Sequence, residues 1–245
     1  MWYIYSTQNG NHYPLELKYS SISSDEVVHD YARITNFCKT RCKNFNNGGG
    51  CPPKAPMFSR IAEQFPYGFI ICAVFSSKWK PQRVKESTKP YIHFRFQDII
   101  LSRFLTSLGY TMKDRIGSGI FFLNNGYCMG CGNKKCSFKS GEDFCKNPQK
   151  RTFSLEATGV DVEATLANLF GLKLQWYKNK NYNEVQYMAK SIGVFVDSKE
   201  KQTLLHESLC DCLQVLPSTK IKMGSDEYRD SLRNKFAVRS LPPSI

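Results

Sequence analysis

Residues 67–75 read YGFIICAVF, a continuous apolar run of strand length. A strand that is apolar on both faces belongs in the middle of a covered sheet, and the chain can be read outward from it. Cys72, inside the run, reads as a small core hydrophobe and not as a ligand. Upstream, Pro56 opens a helix whose Met57, Phe58, Ile61, Ala62 and Phe65 share one face. Downstream, residues 91–108 place Phe94, Asp98, Leu101, Leu105 and Leu108 along one side of a longer helix, and Gly109 supplies a C-terminal stop. Residues 119–123, GIFFL, form a second buried strand. Strand, helix, strand is the unit of a layered fold. The expected class is α/β: a layered sheet flanked by helices, with cysteine-rich metal-binding loops at one end.

The outer segments fit the same plan. Residues 2–6 and 13–19 read as strands of an N-terminal hairpin (1–20) turning at Asn9-Gly10-Asn11, with Pro14 making the second an edge strand. Ser24-Asp25-Glu26 reads as the cap of a short helix running towards Tyr31. Residues 76–90 read as a solvated basic loop, in preference to a phosphate-facing flap with Trp79 available for stacking, and His93 just beyond it as a structural histidine. Asp161 caps a helix with Val162, Leu166, Leu169 and Phe170 facing inward and Gly171 closing it. Leu172, Leu174 and Trp176 alternate as a strand, 179–183 is a polar turn, and 192–196 is another strand. Residues 199–213 form a helix with Leu205, Leu209, Cys212 and Leu213 inside and Cys210 outside. One domain over 1–216 is expected, followed by a loosely attached tail over 217–245.

The chain of 245 residues can bury a core without covalent staples. No apolar run is long enough to span a bilayer, and the opening MWYIYSTQNG lacks the basic and apolar regions of a secretory signal. A reducing, cytoplasmic setting follows, in which cysteines more often bind metal than form disulfides. Seven of the ten cysteines fall in two groups. Cys38, Cys42 and Cys51 are spaced C-x3-C-x8-C in a loop over 38–56 with three glycines before Cys51 and two prolines after it. Cys128, Cys131, Cys136 and Cys145 are spaced C-x2-C-x4-C-x8-C in a polar loop over 125–148, closed by Pro148.

Structural zinc sites pair two short cysteine knuckles or add histidines at fixed spacing. Only Cys128-x2-Cys131 is a knuckle, and no His is close to either group. Iron–sulfur clusters take thiolates from a compact loop with a nearby proline, which fits better. Seven grouped thiolates suit one or two 4Fe-4S clusters, one of them held by three cysteines so that an iron is left open; zinc is the alternative metal. Cys145 is open to either centre, by chain-crossing of the kind two-cluster ferredoxins show. The formal charge of +13 favours an anionic partner, a solvated basic surface, or compensation of a negative cluster. Gly117-Ser118-Gly119 precedes a strand instead of following one and is not a nucleotide-binding turn.

The combination of Cys38-x3-Cys42, Cys51-Pro52-Pro53-x2-Pro56, Cys128-x2-Cys131-x4-Cys136, Cys145-x2-Pro148 and Glu156-Ala157-Thr158-Gly159-Val160-Asp161-Val162 resembles the prokaryotic family labelled "predicted metal-binding protein", a domain of unknown function. The resemblance runs from about Tyr31 to Trp176. It implies cysteine-bound metal, iron–sulfur ahead of zinc, and no particular reaction. Three functions follow from these readings. The first is an enzyme of sulfur transfer, desulfuration or reductive chemistry acting on an anionic small molecule at the open iron. The second is an electron-transfer module with fully ligated clusters and a redox partner protein. The third is a zinc-stapled nucleic-acid binder.

Overall fold

A computed structural model describes residues 1–6, 11–42, 44–126, 128, 130–131, 136–177, 182–214 and 238–240. Its strands are β1 (Trp2–Ser6), β2 (His12–Ser23), β3 (Tyr67–Ser76), β4 (Ile120–Asn124), β5 (Phe153–Ser154), β6 (Tyr187–Val196) and β7 (Val238–Ser240). Its α-helices are α1 (Tyr31–Arg41), α2 (Phe58–Gln64), α3 (Gln82–Lys85), α4 (Pro90–Ile116), α5 (Val162–Phe170) and α6 (Lys199–Gln214). The strands make one mixed sheet in the order β5-β4-β6-β3-β2-β1-β7. Only β4 and β5 pair in parallel.

The apolar run at 67–75 is the middle of this sheet, as its composition requires. Phe69, Ile71, Ala73 and Phe75 point to the side covered by α4 and α6, among Leu101, Phe104, Leu105, Leu205 and Leu209. Ile70, Cys72 and Val74 point to the other side, among Phe58 and Ile61 of α2 and Leu166 of α5. The mixed α/β class and its layered sheet are therefore what forms. β6 lies between β3 and β4 and runs antiparallel to both, so β3–α4–β4 is a split βαβ unit. β4 accompanies β6 only from the Ile120↔Val196 pair to Leu123↔Gly193, and β6 continues back to Tyr187 with no β4 beside it. The cysteine loop departs where β4 stops.

Several elements differ from the sequence expectation, each for a local reason. Helix α4 does not stop at Gly109; a Cβ there would come within 2.1 Å of the Phe122 ring, so the glycine lets β4 pack close while the helix runs on. Gly117, at φ 79°, ends it instead. β2 is not an edge strand, but β3 pairs with it only from Glu16 onward, which leaves Pro14 opposite Ile4 of β1 alone. The Ser24–Glu26 segment is a single 3-10 turn, held by the Ser23 N–H donating to Glu26 at 2.7 Å. Helix α1 starts separately, with Asp30 accepting the Arg33 N–H at 2.9 Å. Residues 172–176 are not a strand: the Gln175 side chain accepts the Gln186 N–H at 2.7 Å, so a side chain stands where ladder pairing would be.

The 76–90 segment is not a solvated loop either. It holds a 3-10 turn (Ser77–Trp79) and α3, and buries Lys80. The Lys80 ammonium donates to Tyr177 Oη at 2.6 Å and lies 3.4 Å from His93 Nδ1. Because the Ser87 carbonyl, 2.7 Å from His93 Nε2, can only accept, we assign the ring proton to Nε2. Among the expectations, Asn9 and Gly10 of the hairpin turn, residues 127, 129 and 132–135 of the second cysteine loop, residues 179–181 of the polar turn, and the tail apart from Val238–Ser240 lie outside the described residues. Those three residues pair with β1. Among the described residues no helix is long and apolar enough to cross a membrane.

Candidate metal centre

The segment 156–162 positions the first cysteines. Gly159 turns with φ 91°, and a Cβ there would meet the Tyr31 backbone at 2.6 Å, so only glycine admits α1 this closely. The Asp30 N–H donates to the Gly159 carbonyl at 2.9 Å, and Asp161 N–H to Val28 at 2.8 Å. Arg33 pairs with the Asp161 carboxylate, which also caps α5 by accepting the Ala164 N–H at 3.0 Å. Burial works to raise the Asp161 carboxyl, but the Ala164 N–H and Arg33 outweigh it and hold it below the usual carboxylate range. The expected cap is thus also the seat of α1.

Cys38 lies in the last turn of α1 and Cys42 is its C-cap, four residues on and therefore on the same side. The chain then folds upon itself. Asn46 N–H donates to the Pro52 carbonyl at 2.8 Å, Cys51 N–H to Gly48 at 3.1 Å, and Lys54 Nζ reaches the Asn46 side chain at 2.8 Å. Asn46 adopts a left-handed φ of 53° within this turn. The Pro52-Pro53 peptide is cis.

This turn lies flat on the second cysteine loop. A Cβ on Gly49 would meet the Phe138 ring at 2.5 Å, and one on Gly50 would meet Cys128 Cβ and the Thr152 carbonyl, each at 2.6 Å. Arg151 fastens the contact. Its Nε donates to the Gly49 carbonyl at 2.7 Å and its Nη2 to the Lys54 carbonyl at 2.7 Å. Its guanidinium also packs over Phe138 and Phe153, 5.2 and 4.8 Å from their ring centres.

Cys51 consequently feels the charge of Cys42, Cys38 and Cys128, and Cys38 that of Cys42. Burial pushes the Cys51 thiol up to about 11, and Cys42, Cys38 and Cys128 add to this while Lys139 opposes it. Cys38 is raised by burial, by Cys42 and by Glu156. The Cys128 sulfur accepts the Gly130 and Thr152 N–H groups, both at 3.4 Å. Cys131 accepts from Asn147 Nδ2 at 3.8 Å. At Cys136 burial again works upward, but the Gly49, Lys139 and Phe138 N–H groups and the Cys131 side chain bring the thiol below its ordinary range. Cys145 is half-buried near the loop exit and takes part in none of these contacts. Among the described residues no three His, Cys, Asp or Glu side chains already form a group able to hold a metal ion.

The donor chemistry nonetheless fits a soft metal. Sulfur is the main ligand type gathered here among the described residues, and peptide N–H groups directed at sulfur are the outer contacts that tune thiolate-bound metals. The groups that hold the loops together escape the cysteine spacing. Arg151, the Thr152 and Gly130 N–H groups and Asn147 leave no spacing signature, and only the lack of side chains at Gly49 and Gly50 hints at the close approach.

The fold and this loop pair define a mixed α/β domain with two docked cysteine loops at the end of a sheet. The chain belongs to the family described as Predicted metal-binding protein (DUF2284), whose model matches residues 20–191. We found no match among curated proteins and none among solved structures.

Proposed function

We propose that the two cysteine loops hold iron–sulfur, as one or two 4Fe-4S clusters, and that the protein uses it in sulfur transfer, desulfuration or reductive chemistry. The observation that carries this reading is the seating of the bare Gly49-Gly50 backbone on Cys128 and Phe138, which draws thiols from two distant stretches into one neighbourhood. Cys38, Cys42 and Cys51 are the three-thiolate set, and Cys128, Cys131, Cys136 and Cys145 the four-thiolate set. Such a centre supplies single electrons and, at an iron lacking a protein ligand, a Lewis-acid position. The chain's own part is to direct the Gly130 and Thr152 N–H groups at Cys128 and to set Lys139 beside Cys51, which offsets thiolate charge.

One observation favours a second reading. Cys128 lies close enough to Cys51 to raise its thiol, so it is available as a fourth ligand to the first set. A fully ligated centre of that kind suits electron transfer to a redox partner protein. Anaerobic purification followed by iron, sulfide and zinc analysis tests the metal: brown protein with iron and acid-labile sulfide is expected, and colourless protein with zinc alone would overturn the iron–sulfur reading. Electron paramagnetic resonance with and without a small added thiol separates the two functions. A shifted signal is expected of an open iron, and an unmoved one favours electron transfer.

A further inference from the structure

The early end of β4 leaves a gap in the sheet, and a cleft of about 150 Å³ fills it. Its floor is β6 from Met188 to Ser191, the stretch without β4 beside it. Among the described residues no strand pairs with this edge of β6, and such an edge offers peptide N–H and C=O groups in one plane. Phe94, Trp176 and Tyr177 line the cleft, and Trp176 is 60% exposed. The Phe94 and Tyr177 rings meet edge-on, 6.2 Å apart. The volume is too small for a dinucleotide or a peptide strand and admits about one ring.

Although the chain carries +13, the charged residues lining this cleft, among the described residues, are Asp98, Glu156 and Lys190. Lys190 is committed to Asp98 at 2.7 Å, which leaves the Glu156 carboxylate to set the sign. An anion is therefore disfavoured here. Asn125 spends both amide hydrogens on Thr106 and Asn124, each at 3.1 Å, so its carbonyl oxygen is what it can offer a ligand. Gln175 gives its oxygen to the Gln186 N–H at 2.7 Å and retains its amide donors. Two acceptors and one donor around an aromatic wall match a ring that carries both N–H and C=O.

We infer that this cleft binds a small, uncharged planar ring with a lactam edge, stacked on Trp176 and hydrogen-bonded through Asn125, Glu156 and Gln175. The cleft adjoins the cysteines: Asn125 lies three residues before Cys128, and Glu156 lies within charge reach of Cys38. The inference names a substrate class for the proposed metal centre and rests on that reading for its chemistry, but binding alone does not need the metal.

The test uses the full chain, as purified and after chelation, titrated calorimetrically with uracil as the lactam ring, orotate as the same ring bearing a carboxylate, and toluene as a ring without a polar edge. Saturable one-site binding of uracil in the millimolar range or tighter is expected, with orotate at least about fivefold weaker and toluene weaker than uracil. Trp176→Ala should weaken uracil by about tenfold, and Glu156→Gln should narrow the gap between uracil and orotate. Absence of saturable uracil binding, orotate binding as tightly as uracil, or insensitivity to both substitutions overturns the inference. Protein that binds uracil yet contains no metal supports the cleft and counts only against the metal centre.

Discussion

Cys72 in β3 and Cys51 in the first cysteine loop both carry thiols pushed far above their ordinary range, to about 12 and about 11. The causes differ. Cys72 is wholly enclosed, with Ile70, Val74, Phe58 and Phe195 in the same apolar cluster, and burial dominates its shift. Cys51 is only half-buried, and other thiols add to what burial does. Burial alone makes a protonated core side chain. Crowding by like groups makes a place where a cation relieves the repulsion. The same residue type thus fills space in one region and is crowded among other thiols in the other.

The largest expected effect that would break this contrast is Cys51→Ala. It should abolish one metal centre while the fold remains soluble, read as metal content beside circular dichroism; unchanged iron would mean that the three-cysteine set is wrong. Next comes Gly50→Ala, whose methyl would press on Cys128 and Thr152 at 2.6 Å. The loops must part, with a loss of about 1–3 kcal/mol in urea unfolding and a lower metal content. Gly126→Ala, which meets nothing within 4 Å, serves as its control and should change neither. Cys72→Ala should cost about 1–2 kcal/mol by leaving a small void, with metal content untouched.

A pH-dependent effect extends the comparison to a buried amine. Burial lowers the Lys80 ammonium from 10.5 to about 8. Between these values the unfolded chain holds a proton that the folded chain has released, so protonation favours unfolding there. Stability should therefore rise as pH increases from about 8 to 10.5 and lose that contribution as pH falls through 8. Lys80→Met should flatten that slope; urea midpoints measured across this window that run parallel in both proteins would exclude the assignment.

The elements most legible in the sequence were those whose period is set by the core. The 67–75 run and the inward face of α6 follow from apolar spacing, and α5 from its Asp161 cap and Gly171 stop. Misreadings arose where one side chain overrode a local rule. Gly109 looks like a helix stop because its close neighbour, Phe122, lies 13 positions away in sequence. Residues 172–176 alternate like a strand, yet the one contact made here is a side-chain oxygen, that of Gln175, accepting the Gln186 N–H just before β6. The cysteine groups were legible as groups; their docking was not, since it depends on Arg151 and on peptide N–H groups that any residue supplies.

The Arg151 clamp concentrates the docking of the two loops in one side chain. Its guanidinium joins Gly49 and Lys54 to Phe138 and Phe153. Stretches about a hundred positions apart in sequence therefore share a single point of failure, and one substitution at Arg151 would cut all of these ties at once.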